Sequence, residues 1–204
     1  MKKILNDFLD NKIILNKKEK IILFLLLVVV SGVFGWLYEF IFYFFNDGHF
    51  SFQGGNFLPF INIYAYGSLL ILFVTKKIKK SPLLVFITSI ILTGILEYLS
   101  GYFILKLLNQ RYWDYNIEIL NFGNLGGFVC LRSVLIFGLC GLFLIYFVIP
   151  FIIYIIKNTN INKLFIISII LFSIFIIDEL YNLIIPNISS LPSSSQIYKN
   201  IGIK

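Results

Sequence analysis

Residues 21–45 read IILFLLLVVVSGVFGWLYEFIFYFF, with Glu39 as the single residue charged at neutral pH. A helix needs roughly 20 apolar residues to cross the hydrocarbon core of a bilayer, so this run reads as one transmembrane helix. It is too long for the core of a cleaved signal peptide, and no small-residue cleavage pattern follows it, so it reads as a retained signal anchor. Four more runs resemble it, over residues 57–75, 82–108, 128–156 and 161–185. Each is long enough to cross once and none long enough to cross twice. Pro59 and Asn62 interrupt the second run. Pro150 predicts an end or kink in the fourth, because proline has no N–H for the helix ladder.

The expected fold is therefore all-α, a polytopic integral membrane helical bundle of about five transmembrane helices. The whole chain agrees: 59% of its residues are hydrophobic and 13% charged, with a mean hydropathy of +0.91. A soluble domain has about 45–50% apolar and 25% charged residues. Residues 1–20 read as a basic cytoplasmic segment in which Ile4, Leu5, Phe8 and Leu9 share helical spacing; an amphipathic helix on the inner leaflet and a frayed basic tail both fit. Residues 21–185 form the transmembrane domain, with an external loop over 109–127. Residues 186–204, rich in serine and holding Pro192, read as a flexible external tail.

The net charge is +7. The lysines lie in short clusters between apolar runs, which points to topology and anionic headgroups and away from nucleic acid. Lys2, Lys3, Lys12, Lys17, Lys18 and Lys20 precede the first run, and Lys76, Lys77, Lys79 and Lys80 separate the second from the third. Lys157 and Lys163 flank the link between the fourth and fifth. Only Lys106, Arg111, Lys199 and Lys204 fall in the alternate segments. The lysine-rich side belongs inside, so the N-terminus is expected in the cytoplasm and the tail outside. Cys130 and Cys140 lie in one expected helix about 15 Å apart, too far for a disulfide. With no CxxC and only His49, neither a metal site nor a cofactor is expected.

The informative residues are the charges inside the runs: Glu39, Glu97, Arg132, Asp178 and Glu179. Each costs about 2.5–3.5 kcal/mol at the bilayer centre on insertion scales, so such groups turn inward and find partners. Glu39, Arg132 and Asp178 lie about 6–10 Å from the outer helix ends and Glu97 about 16 Å in, near the midplane. This predicts one polar cavity opening outward with Glu97 at its floor. Gly32, Gly35, Trp36, Glu39 and Tyr43 share one helix face, as do Gly94, Glu97, Ser100 and Gly101, and small residues there favour close helix packing. A purely structural network, with Arg132 paired to Glu97 or Glu39, is the competing reading. The acids outnumber the arginine, which tilts the balance toward a cation, proton or amine site. In the external loop, Arg111, Tyr112, Trp113, Asp114 and Tyr115 precede Asn121, Gly123, Asn124, Gly126 and Gly127. An interfacial aromatic belt accounts for the rings. A loop folding over the cavity accounts better for Asp114 and the glycines.

Several of these residues form an ordered series. Gly35, Trp36 and Glu39 come first, then the stretch from Asn62 through Tyr64 to Gly67. Glu97, Tyr98 and Gly101 follow, then Trp113, Asp114 and Tyr115, then Asn124, Gly127, Cys130 and Leu131. In this order and spacing the series resembles the ABC-transporter permease family of the CmpB-like "type IV" group, small bacterial membrane proteins. The resemblance covers roughly residues 35–141. It implies a multi-pass protein of the bacterial cytoplasmic membrane and a permease-like role. It also implies a separate ATPase subunit, because this chain has no GxxxxGK[ST] loop, and it leaves room for a homo-oligomer. Gln53 and Phe128 stand where the family tends to carry arginine, and Arg132 is expected to restore the second charge from the same helical face.

Three functions compete. The first is a transport component binding a solute from outside at Glu39, Glu97 and Arg132, with Trp36 and Tyr64 lining the cavity. The second is an assembly or sensor subunit without transport. The third is a membrane enzyme using Glu97 or Asp114 on a lipid or peptide, which ranks last because no serine or cysteine has a histidine partner in sight.

Overall fold

The computed structural model describes residues 1–49 and 51–201. Its regular structure is helical: α1 (Lys2–Leu9), α2 (Lys17–Asp47), α3 (Asn62–Thr75), α4 (Pro82–Leu108), α5 (Leu131–Phe143), a π-helical turn (Leu144–Val148), α6 (Ile149–Asn158), α7 (Ile161–Ile188) and α8 (Ser194–Asn200). Among the described residues there is no strand, only an isolated bridge between Leu125 and Val129. Among the described residues, four helical stretches are long and apolar enough to cross a membrane: Lys17–Asp47, Pro82–Leu108, Leu131–Asn158 and Ile161–Pro186. With the shorter apolar α3 they account for the five runs, and the chain is an all-α multi-pass membrane protein.

The chain divides into two compact units, Met1–Ile14 with Gly67–Phe151, and Leu15–Tyr66 with Ile152–Lys204. In the second unit α2 packs along α7. Asn16 caps α2 through a capping box with Glu19, satisfying donors that a helix start leaves open. Glu19 also takes an ion pair from Lys157 at 2.7 Å. Asn160 caps α7 by accepting from the backbone of Asn162 and Lys163.

The second run starts later than the sequence predicts. Helix α3 begins at Asn62 and has 14 residues, about 21 Å of rise, which is short of the roughly 30 Å core. Pro59 biases Leu58 toward extended backbone, and the amides of Phe57 and Leu58 donate to the buried Asp178 carboxylate at 3.1 and 2.7 Å. The amide of Ile61 donates to the carbonyl of Gly32 at 3.1 Å. Gly32 has room for this because a Cβ there would lie 2.1 Å from the Phe60 ring. Non-helical backbone beside membrane helices is viable when protein groups satisfy it.

The tail also departs from expectation. Helix α7 continues past Pro186 to Ile188, and α8 follows with its own capping box between Ser193 and Gln196. The Ser194 amide donates to Asn182 Oδ1 at 2.8 Å, and the Ser194 hydroxyl donates to the carbonyl of Gly55. The Tyr198 hydroxyl donates to the carbonyl of Phe57 at 3.0 Å. Serines that read as linker composition are used here as a cap and a tether. Residues 202–204 of the expected tail lie outside the described residues.

In the first unit Ser81 caps α4, with Pro82 in the first turn, where its missing N–H costs nothing. Helices α4 and α5 approach closely through glycines. A Cβ on Gly138 would lie 2.6 Å from the Phe86 ring, and one on Gly141 would lie 2.1 Å from Ser89 Oγ. The expected disturbance at Pro150 takes the form of the π turn just before it. The proline ring excludes the regular bond to the carbonyl four residues back, and the wider turn absorbs the mismatch.

Gly141→Ala is expected to lower stability by about 1–3 kcal/mol through overpacking against Ser89. Adding Ser89→Gly should recover most of that loss. Equilibrium denaturation in mixed micelles would measure both, and an undiminished single variant would contradict the close approach.

Candidate functional site

Helix α4 carries Glu97 at 3% exposure, and α5 begins next to it with Arg132 and Ser133, both buried. Cys130 is the N-cap of α5: its sulfur accepts from the Ser133 amide, and Ser133 Oγ accepts from the Cys130 amide. That cap leaves the Ser133 hydroxyl 2.8 Å from Glu97 Oε2 as a donor. The other Glu97 oxygen accepts the Tyr115 phenol, which reaches it from the loop between α4 and α5. Burial, then the Glu97 charge and its hydrogen bond, push the Tyr115 phenol well above its ordinary pKa. It therefore stays protonated and donates.

Arg132 forms an ion pair with Glu118, with side chains 8% and 4% exposed. Its guanidinium carbon sits 5.3 Å from the centre of the Tyr115 ring, within cation–π range. One loop thus delivers both a phenol and a carboxylate to two helices. Glu97, Tyr115, Arg132 and Glu118 form a continuous buried polar cluster.

The loop is built by the residues the sequence singled out. Arg111 bonds the carbonyl of Gly126 at 3.1 Å and pairs with Asp114 at 3.2 Å. Asp114 also accepts from the amide and side chain of Asn116 at 3.0 and 2.6 Å. Asn124 donates to Asn116 Oδ1 and accepts from the Gly127 amide, each at 2.8 Å. The Tyr115 amide donates to the carbonyl of Gly127 at 3.1 Å. Gly127 has φ +81°, and a Cβ there would lie 2.3 Å from both Arg111 Nη1 and Asp114 Oδ1. The Trp113 indole donates to the carbonyl of Phe128 at 2.9 Å, and both rings crowd the face of Gly101. Asp114, Asn124 and Gly127 tie a knot whose product is the position of Tyr115.

The sequence-predicted residues thus fall into two groups. Glu97, Arg132, Arg111, Trp113, Asp114, Tyr115 and Asn124 come together in the first unit. Glu39, Trp36, Tyr64, Asp178 and Glu179 belong to the second. There, Glu39 is half-buried on α2. The Trp36 indole donates to the carbonyl of Gln53 at 3.1 Å. A Cβ on Gly35 would meet the Tyr64 ring at 2.1 Å. Asp178 holds the backbone before α3, and Glu179 accepts from Asn56 at 2.8 Å.

Two expectations are corrected. The structural network that competed with a cavity paired Arg132 with Glu97 or Glu39, whereas the structure pairs it with Glu118. Arg132 also does not share a helical face with position 128, because α5 starts at Leu131 and Phe128 belongs to the loop. Sequence reasoning missed Glu118, Ser133 and Asn116. Ser133 carried a signal, a second polar residue beside Arg132 at a helix start. Glu118 carried none, because its use depends on how the loop folds back.

A family model described as "Putative ABC-transporter type IV" matches residues 24–183. The chain belongs to this family. Comparisons with curated proteins and with solved structures gave no match. The matched stretch takes in both groups of charges and stops short of α1 and α8.

Glu118→Gln removes the carboxylate from a buried guanidinium and is expected to cost about 3–5 kcal/mol, whereas Glu118→Leu with Arg132→Met should cost much less. Unfolding midpoints of the two variants would test this. Gly127→Ala should loosen the knot and speed tryptic cleavage after Arg111 by roughly ten-fold. An unchanged digestion rate would contradict the strain assigned to that glycine.

Proposed function

We propose that the chain is the membrane component of a transport system in the bacterial cytoplasmic membrane. In this reading the N-terminus is cytoplasmic, the loop over Glu97 faces outward and a separate ATPase subunit supplies energy. The observation that carries the reading is a glutamate near the midplane of α4, held at 3% exposure under an ordered loop. A group so expensive to bury is kept in the part of the chain that the transporter-family model covers. Glu97 and Tyr115 are the groups that would meet a solute or proton arriving beneath the loop. Arg132 and Glu118 would set the field around them. Family membership supports an ABC-transporter context, and the missing phosphate-binding loop supports a partner for the ATPase step.

One observation favours a second reading, a sensor or assembly subunit without transport. Glu97 already accepts two hydroxyl donors from within the chain, which is how a purely structural acid would be held.

Mild extraction from the host membrane followed by affinity purification should bring down an ATPase in stoichiometric amount. Glu97→Gln should then cut ATP hydrolysis or solute movement by the complex at least about ten-fold, with the amount of inserted protein unchanged. Loss of the folded protein would assign Glu97 to structure, and full activity would remove it from the mechanism.

A further inference from the structure

Helix α1 and the loop between α3 and α4 lie outside the buried cluster, and α1 also lies outside the stretch the family model matches. The loop occupies residues 76–81, between the end of α3 at Thr75 and the start of α4 at Pro82. Both flanking helices are apolar, so a link this short is confined to the membrane–water boundary. Helix α1 is fastened to it. Lys79, itself buried, donates its ammonium to the carbonyl of Phe8 in the last turn of α1 and lies 3.7 Å from the centre of the Phe8 ring. Lys80 pairs with Asp10 at 2.8 Å. Hydrogen bonds from Lys80 and Lys12, with their charges, hold the Asp10 carboxyl at about 2. The clasp is therefore ionised well below neutral pH and loosens only as pH falls through that value. On the other side, the Tyr146 hydroxyl, in the π turn, donates to the carbonyl of Lys79 at 2.8 Å.

Held at that depth, α1 presents two kinds of surface. Ile4, Leu5, Phe8 and Leu9 recur at helical spacing and are only half-buried, and Ile14 just beyond is 86% exposed. Lys2, Lys3, Lys76 and Lys77 are exposed, and none of them has an ion pair among the described residues. The helix is about 12 Å long, so its two lysines stay close to those of the loop.

We propose that α1 and residues 76–80 together form a binding surface for anionic phospholipid headgroups. The lysines meet the phosphates, and the apolar residues of α1 with Ile14 sit on the acyl boundary. Charge complementarity and the fixed depth both favour a lipid surface over a soluble acidic protein. A lysine near an anionic membrane surface strengthens binding about five-fold, so the Lys76 and Lys77 pair should contribute roughly 25-fold.

The test uses the full chain in nanodiscs of phosphatidylcholine alone or with about one-third phosphatidylglycerol. Hydrogen exchange is followed at the amides of α1, with those of α4 as the internal reference. Exchange in α1 should be at least about ten-fold slower in the anionic discs, and the difference should fade in high salt. Lys76→Gln with Lys77→Gln should remove most of the difference, and Lys76→Arg with Lys77→Arg should keep it. Equal protection of wild-type α1 in both discs would overturn the proposal. So would protection that appears only when a cytosolic protein is added. None of these readouts depends on transport.

Discussion

Hydrocarbon supplies no hydrogen-bond partner, so every polar group placed among these helices must be met from within the protein. The chain handles this in a recurring way. An acid fixed on a membrane helix gathers donors from a neighbouring non-helical segment, and the segment takes its shape from that acid. Asp178 does this for the backbone at Phe57 and Leu58. Glu97 does it for the loop that carries Tyr115. Glu118 reverses the roles, bringing a loop carboxylate to Arg132 on α5. A buried ion pair adds little net stability, but losing one partner is expensive, so such pairs select one loop conformation over its competitors.

The apolar packing makes those meetings geometrically exact enough to work. Glycines on α5 let α4 come close, with Ser89 against Gly141 and Phe86 against Gly138. That approach sets Glu97 within reach of Ser133. At the far end of the same helix, Pro150 forces a π turn, and the turn aims Tyr146 at the carbonyl of Lys79. A covalent defect in one helix thus becomes a point of attachment for the loop that holds α1.

The family assignment and the site geometry bear on each other. The motif residues Asp114, Asn124 and Gly127 shape the loop rather than lining a pocket, and their effect is felt at Tyr115, which reaches Glu97. Within the first unit, the motifs that made the resemblance legible specify one loop and the face of α4 that it meets at Glu97 and Gly101. Fold and family alone assign no substrate; what they assign is a multi-pass membrane domain.

The sequence by itself determined the membrane class, the five apolar runs and the ends of α4, and it singled out Glu97, Arg132 and the segment around Trp113, which the structure brings together. These follow from local quantities: apolar length and the cost of an isolated charge in hydrocarbon. Composition misled where local rules compete with distant partners. Phe57 to Ile61 are apolar enough to extend a helix, yet Asp178, 120 residues beyond Leu58, takes the backbone instead. The serine-rich tail looked unstructured until Ser194 and Tyr198 found Gly55 and Phe57, 139 and 141 residues away. The pairing of Arg132 with Glu118 likewise waits on a loop that must close before the two meet. Which donor each acid receives was decided only by the tertiary structure, because hydrogen-bond partners are fixed by distance in space and the linear spacing of residues carries no record of it.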